Sequence, residues 1–368
     1  MSSAQFHQGG CALACALWLS IPAFVAARPM DPALARLVVD PACAAADSAS
    51  ACVPDRAAYQ QLVNQWGFAL APSTPHEART SGLSGFQVSL MGAFTAIDQQ
   101  ADYWRRGTRG AAATGLDAAS AENASPDGWL QLYSLELRKG FGFGVEAAGS
   151  LGIMPNTSLI AWGAELRVAL LEGMRHGLWR YLPDTSLGLA LRRATGLADL
   201  DLGVAALDAR VSEPLVGSSG FIVTPWVGYQ LVRIDANSPW VDLTPGRDAL
   251  AECGYRGPNV PGTSAGGSAA PGSAFDGTPV CSSGSGADFA NAGAFGETEI
   301  FRHRVLIGLS YRQELLRLGA ELITDLLPPD EAQSDEGVAT SLSCEGADGG
   351  CRPSPRQVTL VLQVGAAF

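Results

Sequence analysis

From Gly82 onward, apolar and polar residues alternate with a period of two in runs of about ten residues. That pattern belongs to strands with one face in an apolar medium and the other turned away from it. The last run is the most regular: Val358, Leu360, Leu362, Val364, Ala366 and Phe368 share one face, and Gln357, Thr359, Gln363 and Gly365 interleave with them. Phe86, Val88, Leu90, Phe94 and Ala96 oppose Gln87, Ser89 and Thr95, and Trp129, Tyr133, Leu135 and Leu137 oppose Ser134, Glu136 and Arg138. A tight turn at Lys139-Gly140 then leads into Phe141, Phe143, Val145, Ala147 and Leu151. Further rows run from Ile160 to Leu170, from Leu187 to Leu191, through Leu200, Leu202, Val204 and Ala206, from Phe221 to Leu231, from Phe301 to Tyr311 and from Leu316 to Leu322. The count is about ten strands, or twelve if Trp66 to Ala71 or Trp240 to Leu243 joins the sheet. Pro225 removes a ladder donor from the seventh run, so a bulge or a weak point is expected there, and the sixth loses its alternation near Leu207 and Asp208, where a bulge or the strand's end is expected.

The three long irregular stretches, 98–127, 237–297 and 328–355, follow runs one, seven and nine and therefore fall on one side of the sheet. Short connections fall on the other. This parity predicts an all-β fold, a transmembrane antiparallel up-and-down β-barrel over residues 82–368 with both barrel ends in the periplasm and the long loops outside. Phe86, Phe141, Phe221, Tyr311 and Phe368 would ring the periplasmic rim, and Phe94, Trp129, Trp162 and Phe301 the outer rim, because aromatic rings favour the headgroup level.

Ahead of the barrel, Ala12 to Ala27 is almost wholly apolar and ends in the small residues Val25-Ala26-Ala27, so residues 1–27 read as a signal peptide cut before Arg28. Residues 28–81 are expected to form a short periplasmic segment, or a plug folded into the lumen, with a helix over Pro54 to Asn64. The formal net charge of -12 argues against a nucleic-acid partner. Cys43 and Cys52, Cys253 and Cys281, and Cys344 and Cys351 lie in close pairs among small residues, which in an exported chain favours disulfides. With the first pair periplasmic and the other four cysteines outside, three pairings survive, and the local ones are preferred.

Taken together, the signal peptide, the alternating runs and the terminal aromatic strand resemble the bacterial outer-membrane β-barrel proteins as a class. The resemblance implies an integral outer-membrane location, lipid around the barrel, and recognition of Leu360, Leu362, Val364, Ala366 and Phe368 by the barrel assembly machinery. A monomer is expected.

The inward face carries Glu136, Arg138, Glu146, Glu165, Arg167, Arg192, Arg302, Arg304, Arg312, Arg317, Glu321 and Asp325. Opposite charges there would pair as a filled structural lumen, or line a small pore whose arginines on strands eight and nine favour anions. The expected role is small-solute passage or the presentation of surface loops, with an outer-membrane hydrolase or a soluble secreted β-sandwich binding protein as the alternatives. No catalytic set is assigned: His303 shares the lipid-facing row, His176 lies in a turn and His76 precedes the barrel. No metal ligands and no cofactor are expected, since Asp98, Asp102, Asp117, Asp127, Asp330 and Asp335 follow no calcium-loop spacing.

Overall fold

The computed structural model describes residues 28–44, 52–110, 122–173, 182–217, 220–245, 254–255, 279–280, 292–326 and 356–368. Ten long strands carry the architecture: β1 (Phe86–Ala96), β2 (Trp129–Phe141), β3 (Val145–Ile153), β4 (Ile160–Leu171), β5 (Asp184–Thr195), β6 (Asp201–Ser212), β7 (Ile222–Asn237), β8 (Thr298–Gln313), β9 (Leu316–Asp325) and β10 (Val358–Ala367). Each pairs antiparallel with the next, and β10 pairs with β1 from Gln87 opposite Ala367 to Thr95 opposite Thr359, so the sheet closes on itself. Closure leaves no long strand with an unpaired edge.

Connections 142–144, 172–183, 213–221 and 314–315 gather at one end of the barrel, called here the turn end, with Phe86 and Phe368. Connections 97–128, 154–159, 196–200, 238–297 and 326–357 gather at the other, the loop end. Within the long seventh connection, Val241–Asp242 pairs with Ala292–Gly293 and Gly254–Tyr255 with Pro279–Val280, and neither ribbon joins the barrel. The twelve-strand alternative is thereby excluded, as is a two-sheet sandwich.

On the outer face the period-two rows hold. Leu187, Leu189 and Leu191 on β5, Leu316, Leu318 and Leu322 on β9, and Val358, Leu360, Leu362 and Val364 on β10 are all exposed. An apolar band this continuous is covered by lipid rather than water. Aromatic rings sit at both rims: Phe86 lies 6.5 Å from Phe368 and Phe221 5.9 Å from Tyr311 at the turn end, while Phe94 meets Tyr133 edge-on at 6.0 Å towards the other. Among the described residues no helix is long and apolar enough to cross a membrane.

Two of three local expectations are corrected. β2 runs on to Phe141, and the turn is Gly142 to Gly144, where φ is 63° at Phe143 and 71° at Gly144, a left-handed pair that glycine eases. Pro225 lies where the pairing on the β6 side breaks: the ladder ends at Ser212 opposite Trp226, Glu213 N still donates to Pro225 O (3.3 Å), and pairing resumes in the same register at Leu215 opposite Val223, a weak point without a bulge, while the pairing with β8 runs through unbroken. The register shift lies instead between Ala169 and Leu171. β6 also continues unbroken, but with its faces reversed: Leu202, Val204 and Ala206 point inward and are buried, whereas Leu207 points out.

What those inward residues meet is the N-terminal segment. Helix α1 (Arg56–Leu70) is capped by Asp55, whose Oδ1 accepts from Ala58 N at 3.0 Å, and runs six residues beyond Asn64 because Gln65 to Leu70 continues it rather than pairing with the sheet. Tyr59, Leu62, Val63, Trp66, Phe68 and Leu70 are all buried, as are Gln60, Asn64 and Gln65. A helix buried on every side must be surrounded, and here the barrel wall surrounds it. A second short helix, α2 (Asp102–Gly107), roofs it at the loop end, with Trp104 6.0 Å from Trp66 and its Nε1 donating to Gln65 Oε1 at 2.8 Å.

The chain enters at the loop end, where Met30 N donates to Asn156 O (2.9 Å), Pro32 bridges to Thr108 and Val38 to Pro54. It leaves at the turn end, where Gly85 O accepts from Gly140 N at 2.9 Å just ahead of β1. Residues 56–81 therefore thread the barrel from one end to the other. The bonded pair Cys43–Cys52 lies at the loop end, opposite to the periplasmic side expected from the order of elements. An apolar helix gains far more by lining the lumen than by resting below it. Residues 1–27 and Cys253, Cys281, Cys344 and Cys351 lie outside the described residues, so the signal segment and the other two cysteine pairs do too.

Candidate functional site: the plugged lumen

Around α1 the wall is apolar: Leu130 and Leu132 of β2, Ala161 of β4, Leu202 and Val204 of β6, Val232 and Ile234 of β7 and Ile300 of β8 are buried against it. Helix and wall approach most closely at Gly67, where an added Cβ would sit 2.4–2.7 Å from Ile234 side-chain atoms.

A collar of cations surrounds the helix C-terminus. The last carbonyls of a helix have no partner within it and carry its negative pole. Arg192 Nη1 donates to Leu70 O (3.2 Å), Arg302 Nη1 to Asn64 O (3.2 Å) and Oδ1 (2.9 Å), and Arg304 to Phe68 O (3.2 Å) and Pro72 O (3.0 Å). Arg302 and Arg304 also lie over the Phe68 ring, 4.3 and 4.9 Å from its centre. Asp325 holds Arg302 from behind through Nε (3.0 Å) and Nη2. One step lower, Arg210 Nη1 donates to Thr74 O (2.7 Å) and His76 O (2.6 Å). These arginines grip the backbone of the plug, the arrangement of a filled lumen rather than of an open eyelet.

Towards the turn end the wall becomes a chain of alternating charge. Arg138 pairs with Glu136 (3.1 Å), Glu146 (2.7 Å) and Glu165 (3.1 Å); Arg167 pairs with Glu165 (2.8 Å) and Asp208 (2.9 Å); and Arg210 pairs with Asp208 (2.9 Å). Gly188 leaves the space for this, since a Cβ there would lie 2.5 Å from Asp208 Oδ2. The same carboxylates hold residues 72–81. Thr74 Oγ1 donates to Glu136 (3.1 Å), and Ser81 donates to Glu146 Oε2 through N (2.7 Å) and Oγ (2.6 Å). Glu77 pairs with Arg317 and accepts from Ser310 Oγ at 3.0 Å, Ala78 N donates to Ser212 Oγ (3.1 Å), and Arg79 pairs with Asp184 (3.1 Å). His76, expected ahead of the barrel, is fully buried inside it, its Nδ1 donating to Glu77 O (2.8 Å) and its Nε2 3.5 Å from Glu146 Oε1.

Eleven of the twelve expected lumen charges therefore face inward, Glu136, Arg138, Glu146, Glu165, Arg167, Arg192, Arg302, Arg304, Arg317, Glu321 and Asp325. Arg312 does not join them: it is the next-to-last residue of β8 and is exposed at the turn end. Glu321 is buried with Arg210 4.0 Å away, and among the described residues no hydrogen bond reaches its carboxylate. Asp208, Arg210, Gln230 and the plug's own polar groups were missed. The signal for the first two was the break in alternation itself, because two charges in the inward row of β6 follow three apolar residues that also face inward. A small cavity beside Thr74, walled by Glu136, Ser150, Glu165 and Arg192, has room for about one water at ≈ 10 Å³.

His303 faces outward as expected and shares a 2.5 Å hydrogen bond with Tyr229 Oη, and His176 lies outside the described residues. Among the described residues no group of His, Cys, Asp and Glu is placed to hold a metal ion.

No protein-family model and no curated protein matches the chain. Among solved structures, the Ail attachment invasion locus protein of Yersinia pestis is similar at 8% identity over 78% of this chain and 99% of that one, with a TM-score of 0.25. The Acinetobacter baumannii outer membrane protein Omp33 follows at 8% identity over 77% and 98%, TM-score 0.24, and the Ralstonia pickettii toluene transporter TbuX at 9% over 78% and 90%, TM-score 0.19. Scores at this level carry no argument about role. The architecture rests on the chain's own strand pairings: it is a closed ten-stranded antiparallel barrel of the outer-membrane kind, shut by its own N-terminal segment.

Proposed function

We propose that this protein sits in a bacterial outer membrane as a monomer, turn end in the periplasm and loop end outside, and works as a closed barrel that presents its loop end to the surroundings. Lipid covers the apolar outer band, and the final strand through Phe368 is the feature that the barrel assembly machinery reads. The observation that carries the closed state is the grip on the plug: five wall side chains, Arg192, Arg210, Gln230, Arg302 and Arg304, donate to main-chain carbonyls between Asn64 and His76. Main-chain acceptors held by buried, charge-assisted donors are released only at a cost of several kcal/mol, on the order of 1.5–3 for each such bond. Small-solute passage would require that release.

Planar-bilayer recording on the purified full chain tests this. The closed reading expects no steady conductance at moderate voltage. A stable ohmic current through the intact protein overturns it in favour of a channel.

A further inference from the structure

We propose that the amino terminus made by cutting between Ala27 and Arg28 is itself a bound group, its α-ammonium held by Asp31 at the loop end. The inference rests on the reading of the loop end as the outer face, and it extends that reading to say where the processed terminus lies and what receives it.

The receiving site is built. Arg28 to Asp31 form a turn with Pro29 in its second position, closed by Asp31 N donating to Arg28 O at 3.0 Å. The turn folds Arg28 N back onto the Asp31 side chain, 2.8 Å from Oδ2. Asp31 is only 6% exposed, and its carboxylate already accepts from Ser158 N at 2.6 Å and Ser158 Oγ at 2.7 Å. Gly110 N donates to Pro29 O (2.8 Å), Arg109 N to Asp31 O (3.0 Å) and Met30 N to Asn156 O (2.9 Å), so the turn is fixed to two different loop-end connections.

Every donor to this carboxylate is a main-chain amide or a hydroxyl; among the described residues no Arg, Lys or His side chain pairs with it. A buried carboxylate without a countercharge is costly. Hydrolysis supplies one. Water adds across the Ala27–Arg28 bond, leaving a carboxylate on Ala27, and the freed Arg28 nitrogen is protonated near neutral pH, so an amide donor becomes an ammonium 2.8 Å from the acid. The residues before the bond, Val25-Ala26-Ala27, are the small ones a signal peptidase accepts. The threading also requires the cut. An attached Ala12–Ala27 stretch would emerge at the loop end, where sixteen nearly all-apolar residues would face water.

Three measurements test the proposal. Terminal peptide mapping of protein taken from outer membranes should find Arg28 first, and any other first residue overturns it. The chain has a single lysine, Lys139, at the turn end and donating to Ser84 O at 3.0 Å, so a processed protein has two amines. In intact cells carrying Asp31→Asn, which frees the terminus, a membrane-impermeant amine reagent should modify Arg28 and spare Lys139; the reverse overturns the outward placement and with it the orientation of the barrel. Finally, refolded chains starting at Ala27 and at Arg28 are compared by hydrogen exchange. The extension should speed exchange at the Met30 and Ser158 amides roughly tenfold beside Asp31, and leave it unchanged in the Asp31→Asn background. Equal exchange of both chains with Asp31 present overturns the ammonium site whatever the orientation in the membrane.

Discussion

Arg302 shows how one residue joins barrel to plug. Its guanidinium meets Asp325 on the wall, Gln357 (2.6 Å) ahead of β10, and both the carbonyl and the side chain of Asn64 on the helix, while its face lies over Phe68. A planar fork serves these partners together and an ammonium cannot. Arg302→Ala is expected to cost about 3–5 kcal/mol by leaving Asp325 buried and unpaired, with Arg302→Lys recovering little of it. Urea unfolding in micelles reads this, and a loss under 1 kcal/mol would contradict it. Asp199 makes a pH prediction at the loop end. Burial, the largest influence, raises its carboxyl above the ordinary 3.8, Arg109 and a bond from the Leu34 main chain pull it down, and Asp31 pushes it up again. The folded state thus holds the proton more tightly than the unfolded. The stabilisation is complete below the unfolded value and is lost as pH rises through the folded one. Asp199→Asn should therefore flatten the rise in amide exchange of residues 28–37 as pH climbs above the ordinary 3.8; an unchanged slope would exclude this origin.

At the level of elements, the outer rows of the strands could be read from sequence because lipid selects every second residue, and the strand count followed. The inner rows could not be read in the same way. Where α1 fills the lumen, Leu202, Val204 and Ala206 are as apolar as any lipid-facing row, so periodicity alone gave β6 the wrong face. Paired lumen charges such as Arg138 with Glu146 and Arg167 with Glu165 were visible as an inward polar row. The grip on main-chain carbonyls has no signature in the residues gripped, so the arginines could be read as salt-bridge partners or as a pore lining but not as holders of a plug. For the same reason the helix seemed to stop at Asn64: Trp66, Gly67 and Phe68 break no amphipathic pattern that a fully enclosed helix needs. Gly67→Ala tests that enclosure. The new methyl would overlap Ile234, and the expected cost is about 1–3 kcal/mol. Ile234→Ala removes the overlapping atoms, so the double variant should lose less than the sum of the two, whereas additive losses would mean that helix and wall do not touch there.

For the whole molecule, the order of elements in sequence did not fix the route of the first segment. Residues 28–81 were expected to begin at the turn end, as a periplasmic segment or as a plug, yet the segment starts at the loop end and runs back through the lumen. The ten strands must then close around an occupied centre, with the main chains of Phe86 and Phe368 exchanging two bonds at the seam, 2.8 and 3.1 Å. Phe368→Ala keeps those bonds and removes the ring beside Phe86. Its expected effect is poorer assembly in cells with near-normal refolding in detergent, and equal impairment of both would assign the ring to anchoring alone. The central claim is that the N-terminal segment occupies the lumen, and cross-linking tests it most directly. Ala78 N lies 3.1 Å from Ser212 Oγ on the inner face of β6. In the Ala78→Cys, Ser212→Cys protein extracted folded from membranes, peptide mapping should recover the two positions joined by a disulfide. Finding both thiols free and open to a bulky maleimide would show that the segment lies elsewhere.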